Sequence, residues 1–198
     1  MRKLSLSLFL VLILSSFQFA SAQVKWTVDP AHTNARFEVK HLGIAFVDGQ
    51  FTTLEGEMES QNAEDFNNSK VSFTIDVNSV STRVEDRDNH LKSDDFFNVE
   101  KYPNMTLKNA VLTRVKGSEY KLAGDLTIRD VTKKVTFDVV QNNGVITDPW
   151  GGTRIGFTAT STINRFDFNI AYNDNLPSGV PAVAPNIKIT VNVELVKN

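Results

Sequence analysis

Residues 187–195 alternate strictly. Ile187, Ile189, Val191, Val193 and Leu195 fall on one side of a two-residue repeat, and Lys188, Thr190, Asn192 and Glu194 on the other. Only an extended strand sends successive side chains to opposite faces, so the repeat predicts a strand with one apolar and one polar side. The same reading holds for Asn34 to Lys40, Lys70 to Val77, Met105 to Val115, Tyr120 to Ile128, Val135 to Val139 and Ile155 to Ile163. Gln50 to Glu59 is a weaker case, polar on both faces. Between these runs stand turn signals: Lys116-Gly117-Ser118, Arg129-Asp130, Asn142-Asn143-Gly144 and Asp148-Pro149-Trp150-Gly151-Gly152. Short links imply antiparallel neighbours, so the fold class is all-β. About eight one-faced strands must close into a barrel or stack as a sandwich to cover their apolar sides.

Two stretches break the period. Val84 to Phe97 is rich in charge and free of Gly and Pro, which predicts a short helix inserted between strands. Asp86 or Asp88 is the expected cap at its start, and Tyr102-Pro103 stops it. Asn169 to Pro185 carries Pro177, Gly179, Pro181 and Pro185 and is long enough to fold over a barrel mouth.

The N-terminus reads as an export signal. Arg2 and Lys3 precede an apolar run from Leu4 to Leu14, and Ala20-Ser21-Ala22 supplies the small-x-small cleavage pattern. The run is shorter than the roughly 20 residues of a membrane span. Cleavage is expected after Ala22. Residues 1–22 are then a signal peptide and residues 23–198 one domain, placed in the periplasm or outside the cell. Arg2 and Lys3 leave with the signal, so the formal charge of −2 becomes more negative. That balance argues against a nucleic-acid partner. The chain has no Cys. Disulfides, thiolate metal sites and a Cys-linked lipid anchor are thereby excluded, and no stable membrane span is expected.

Catalytic signals are sparse. His32, His41 and His90 are the chain's 3 histidines, and no H-x-H or HExxH spacing joins them. Hydrogen bonding at strand ends is the plainer reading, with a secreted metal-dependent hydrolase using the three as the rival. Ser79 and Ser81 lie near His90 in sequence, but without a G-x-S-x-G elbow they read as loop residues. In the charged run, Arg83 or Arg87 either faces solvent or pairs with an acid at a pocket mouth. Arg165 stands beside Phe166-Asp167-Phe168 at an expected strand end, suited to an ion pair or to the polar head of a bound molecule. Aromatic content is more telling. Of 14 Phe, only Phe9, Phe17 and Phe19 fall in the signal. The remainder sit mostly on apolar faces, as core or as the lining of a tube, since an eight-stranded barrel can hold one small ligand. Alternation alone leaves open whether the apolar face points inward, as in a carrier, or outward to lipid.

Four motifs carry a resemblance covering Trp26 to about Val196. The first runs from Trp26-Thr27-Val28-Asp29-Pro30-Ala31-His32-Thr33 through Phe37, His41 and Gly49-Gln50-Phe51. The second is Arg87-Asp88-Asn89-His90-Leu91-Lys92-Ser93-Asp94-Asp95-Phe96-Phe97 with Tyr102-Pro103. The third is Gly124 to Thr132, and the fourth Arg165-Phe166-Asp167-Phe168. Together they resemble the YceI-like family of secreted lipid-binding proteins. Thr33 stands where Ser is common in that family, and Asn98 where Asp is usual.

The resemblance implies an extended, lipocalin-like, eight-stranded antiparallel barrel. Its apolar pocket would bind a polyisoprenoid, a quinone-like molecule or a similar long-chain amphiphile, with no cofactor and no catalytic residues. On that reading Phe37, Phe73, Ile75, Phe96, Phe97, Phe157 and Phe166 line the pocket. Arg165, His41 and His90 are the candidates for its head-group end. Oligomeric state, a homodimer included, is left open.

Overall fold

The computed structural model describes residues 23–198; the expected signal peptide lies outside them. Twelve strands and one helix follow in order: β1 (Val24–Val28), β2 (Asn34–His41), β3 (Ala45–Phe51), β4 (Leu54–Ser60), β5 (Ser69–Asp76), β6 (Val80–Ser81), α1 (Glu85–Lys92), β7 (Asn104–Lys116), β8 (Glu119–Ile128), β9 (Val131–Gln141), β10 (Ile146–Thr147), β11 (Thr153–Asn164) and β12 (Val183–Lys197). All pair antiparallel in one sheet, and the β11–β12 ladder closes it.

The ring has eight staves, three of them made of two strands end to end. Along one edge of β12 lie first β1, with Val28 opposite Leu195, and then β2, from Asn34 opposite Asn192. β3 and β4 continue this arrangement against β2 and β1. β5 pairs with β4, and β6 pairs with β3. The barrel is therefore eight-stranded and closed, with one short helix, as the periodicity and the resemblance together predict. Its apolar faces turn inward.

The weak run at Gln50 to Glu59 proves to be two strands separated by Thr52-Thr53. The break has a side-chain cause. Ser79 Oγ accepts from the amides of Thr52 (3.1 Å) and Thr53 (3.0 Å), taking donors that a ladder would use. β1 is too short to have been counted from its period. Pro185 falls inside β12, where the pairing with β2 shifts register between Val183 and Ile187, a bulge that tolerates its missing N–H.

Helix α1 is shorter than predicted and starts without a side-chain cap at Val84. Asp88 does not cap it. Its carboxylate instead accepts from the Thr82 amide (2.7 Å) and hydroxyl (2.5 Å), while Arg87 donates to the Thr82 hydroxyl and carbonyl. Arg87 thus holds a threonine, not an acid.

With no Cys to staple it, the seam of the barrel is tied by charge. Arg154 on β11 donates to Asp148 (2.5 Å) in the turn after β10, to Asp29 (2.6 Å) after β1, and to Glu194 (2.6 Å) on β12. His32 bonds the same Asp29 carboxylate at 2.9 Å. One guanidinium so joins the elements that meet where the ring closes, a charge-assisted network worth more than separate surface pairs.

The bond from His32, and then that from Arg154, hold the Asp29 carboxyl down to about 2 from an ordinary 3.8. A lowered pKa stabilises the fold fully above the unfolded value and less as pH falls through the folded one. Thermal midpoints should therefore drop between about pH 3.8 and pH 2, and Asp29→Asn should flatten that part of the profile. Parallel profiles for the two proteins would remove this carboxylate from the account.

Candidate functional site

The inward faces enclose an apolar cavity of about 210 Å³. It runs between two groups of buried side chains, one at each end of the barrel.

One end is sealed. Phe66, on the loop joining β4 to β5, is fully buried. It meets Trp26 edge-on at 5.5 Å and Phe157 at 5.4 Å. Tyr120 packs on Phe157 at 6.2 Å. Trp26 satisfies its indole N–H on Ser60 Oγ at 3.0 Å, so the largest ring of this floor keeps its donor paired. Arg114 on β7 fastens the loop from outside: its guanidinium donates to Asp65 and its backbone amide donates to Asn67 Oδ1.

The walls are the alternating residues of every stave. Ile187, Ile189, Val191, Val193 and Leu195 of β12 all face the cavity. Two rings lie across glycines of the neighbouring strand. Phe37 is paired with Gly49 and Phe73 with Gly56. A Cβ on Gly49 would stand 2.1 Å from Phe37 Cζ, and one on Gly56 2.6 Å from Phe73 Cδ2. Only a residue without a side chain leaves room for either ring there.

The other end is the mouth. Leu91 of α1, Phe96 and Phe97 after it, Ile170 and Val183 line the cavity here. Residues 169–182 cross this end, as the Pro-rich composition suggested. Tyr172 stacks on Phe96 at 4.9 Å, and Leu42 donates to the Ala182 carbonyl at 3.0 Å. The tip of the β8–β9 hairpin binds the rim together. Arg129, at φ 55°, donates from Nη1 to the carbonyls of Asp94 (3.3 Å), Phe96 (3.0 Å) and Asn169 (2.7 Å).

Arg165 is the one strongly polar group of this lining that is itself buried, at 2% exposure. It begins the short 3-10 turn Arg165–Phe168. Its Nε donates to Ala184 O (3.2 Å), Nη1 to Ile170 O (2.9 Å) and Nη2 to Val183 O (3.0 Å). Desolvation lowers its pKa from the ordinary value, but an Arg keeps its charge in a protein. Asp167, its near neighbour in sequence, makes no ion pair with it.

Of the residues expected at a site, the cavity gathers Phe37, Phe73, Ile75, Phe96, Phe97, Phe157 and Arg165. Three lie elsewhere. Phe166 is 38% exposed and covers the outer face of the Arg165 guanidinium at 4.2 Å. The cause is the 3-10 turn. A three-residue period buries Arg165 and Phe168 and leaves Phe166 between them facing out. His41 ends β2 exposed, opposite Ala45 and Val183. His90 sits outside the rim, edge-on to Phe96 at 5.0 Å and bonded to Asp95 at 3.0 Å.

The three histidines do not form a metal set. His32 belongs to the Arg154 network near Glu194, whereas His41 lies opposite Val183, on the order of 35 Å away along β12 at about 3.3 Å per residue. Among the described residues, one group has ligand-like spacing, Asp29, His32 and Glu194. Both of its carboxylates are already bonded to Arg154.

Sequence reasoning missed Phe66, Trp26 and Tyr120 as a floor. Phe66 gives no periodic signal because it lies in a loop. Trp26 lies in the short β1, which shows no readable period, and Tyr120 near the start of β8, where alternation states a face but not a depth.

Residues 26–195 match the YceI-like domain family. Over 170 residues the chain is 36% identical to UPF0312 protein SA2479 of Staphylococcus aureus (strain N315), covering 85% of this chain and 95% of that protein. The fold is shared with BcnA of Burkholderia cenocepacia, at TM-score 0.68 and 20% identity over 84% of this chain and 98% of that one. It is shared also with a polyisoprenoid binding domain from Saccharophagus degradans implicated in plant cell wall breakdown. There the TM-score is 0.62 and the identity 13%, over 87% of this chain and 98% of that one.

Truncating the floor should be costly. Phe66→Ala is expected to destabilise by about 3–5 kcal/mol in denaturant unfolding, the usual range for a fully buried Phe. A loss under about 1 kcal/mol would show that the loop does not seal the barrel.

Proposed function

The chain belongs to the YceI-like domain family, and on that footing we propose that its barrel holds the tail of a long-chain amphiphile, a polyisoprenoid or a lipid of similar length, for carriage or storage. The observation that carries this reading is the cavity itself: apolar along its walls, floored by Phe66 and reached from the α1 end. A domain of the same fold from Saccharophagus degradans binds polyisoprenoid, which supports the assignment. The expected signal peptide supports a periplasmic or extracellular setting.

The driving force is burial of hydrocarbon, roughly 0.8 kcal/mol per CH₂. One five-carbon unit gains on the order of 3–4 kcal/mol gross, and micromolar affinity needs about 8 kcal/mol. A few units therefore suffice even after ordering costs. An apolar cavity of about 150 Å³ admits one benzene ring, so 210 Å³ takes a short terpenoid segment without rearrangement. A longer tail needs Phe37, Phe73 and Phe97 to turn. These half-buried rings are better placed to do so than the floor. No chemical step is asked of the site, and the one ligand-like group among the described residues, Asp29, His32 and Glu194, is not part of its walls.

Organic extraction of the protein purified from its own host, followed by mass spectrometry, should yield a long-chain amphiphile near one per chain. Titration of delipidated protein with farnesol should saturate, and Ile189→Trp, which fills the cavity, should weaken binding on the order of tenfold while the far-UV spectrum stays unchanged. A protein that carries no lipid and binds none would end the carrier reading.

A further inference from the structure

Single apolar side chains on a surface are ordinary, but a contiguous apolar patch needs a cause. Two turns beyond the rim build one. The β2–β3 turn carries Ile44 at 85% exposure, and Phe46 follows at 61%. The turn within residues 174–182 lies against it. Leu42 donates to the Ala182 carbonyl, and Val180, also exposed, has Cγ1 3.1 Å from the place a Cβ on Gly43 would take. This second turn is itself closed: the Leu176 amide donates to the Val180 carbonyl and the Ala182 amide to that of Asp174, each at 2.8 Å. No Asp, Glu, Lys or Arg occurs in 41–47 or in 175–187. Both turns stand at the entrance, because Val183, which lines the cavity at its mouth, pairs with His41. Across the entrance the surface changes character. The lip held by Arg129 exposes Asp94, Asp95, Lys101 and Asp130. The mouth therefore has an uncharged, apolar half and a charged half.

We infer that this apolar crest docks on a lipid bilayer, entering its interfacial layer so that the mouth opens against the membrane. The inference goes beyond the carrier reading and takes from it only that cargo passes through the mouth. Shape and area favour lipid over a second copy of the chain. Two turns make a ridge, not a groove. Ile44, Phe46 and Val180, even at about 250 Å² apiece, fall short of the roughly 800 Å² per partner that a stable dimer buries. A bilayer asks for no matching pocket, only for apolar side chains flanked by groups that suit the headgroup layer. Lys40 stands directly opposite Phe46 in the β2–β3 ladder, and both are exposed. Its stem follows the inserted ring while the ammonium stays among the headgroups. The charged lip stays in water, so the barrel tilts onto its uncharged half. A tail leaving the bilayer then meets the crest and next Val183 and Ile187 of the wall, without crossing an open layer of water.

The test is flotation of the delipidated protein with vesicles of phosphatidylcholine, alone or mixed with phosphatidylglycerol. The wild-type protein should float with both. Ile44→Asp and Phe46→Asp should each weaken partitioning on the order of tenfold or more, while farnesol affinity and the unfolding midpoint stay unchanged, because neither side chain lines the cavity or belongs to the core. Raising salt from about 0.1 M to about 1 M shortens the Debye length from about 10 Å to about 3 Å and should leave wild-type partitioning within about twofold, since the crest carries no formal charge. Brominated lipid should quench a Phe46→Trp reporter and spare the wild-type protein, whose exposed Trp150 lies at the floor end near Arg154. Absence of flotation, binding that salt abolishes, or binding unaltered in both Asp variants overturns the inference. Quenching of the wild-type protein puts the other end on the membrane and overturns it too. A concentration-dependent dimer that the Asp substitutions dissolve, without flotation, assigns the crest to a second copy and does the same. Failure of farnesol to bind ends the carrier reading instead, and flotation still decides the docking.

Discussion

The ladder between β11 and β12 is the constraint on which the rest depends. It pairs Arg154 through Asn164 with Asn186 through Val196 without a break. β12 is the strand on which the ring closes, with β11 on one edge and β1 followed by β2 on the other. A slip of one residue would turn Ile187, Ile189, Val191, Val193 and Leu195 outward and bring Lys188, Asn192 and Glu194 into the cavity. It would also pull Glu194 away from Arg154 and dissolve the tie at the seam. Hydrophobic pattern and charge network therefore specify the same register, and each penalises the slip that the other forbids.

A barrel without disulfides must divide its interior between packing and space. This one separates the two along its axis. Trp26, Phe66 and Tyr120 fill one end with interlocked rings, while the middle is lined mostly by branched aliphatics, with Phe37 and Phe73 among them, and leaves an opening. Close packing at the floor supplies stability that an empty middle cannot. The glycines opposite Phe37 and Phe73 belong to the same division. Each surrenders its own side chain so that a large ring can lie against the wall instead of across the lumen.

Much of this was legible in the sequence, for physical reasons that can be named. β5, β8, β11 and β12 turn one apolar face to the lumen and a polar one outward, so the alternation of their residues states their conformation. The helix announced itself by losing that period. Phe73, Ile75 and Phe157 were readable as inward residues because they sit mid-strand. Phe66 was not, since a loop reaches the interior by a path that no periodicity encodes. The break at Thr52-Thr53 depends on a serine 26 and 27 residues away along the chain. Phe166 was placed in the pocket for being an aromatic beside Arg165, although the period of β11, with Phe157, Ala159 and Ile163 inward, already sets Arg165 inward and Phe166 outward. His41 and His90 have the right chemistry for a polar mouth but point away from the lumen, and a residue type carries no direction.

The rim of the barrel is fastened unequally. On one side, three carbonyls from the segment after α1 and from the turn after β11 converge on a single nitrogen of Arg129, and Tyr172, Phe96 and His90 pack there ring to ring. On the opposite side, the β2–β3 hairpin is tied by one amide bond from Leu42 to Ala182, with Gly43 close to Val180. Its tip carries Ile44 at 85% and Phe46 at 61% exposure. The barrel therefore has a stiff lip and a compliant one. The hairpin is held by fewer bonds than the Arg129 side, so a bulky guest would widen the entrance there first and leave the anchored half in place.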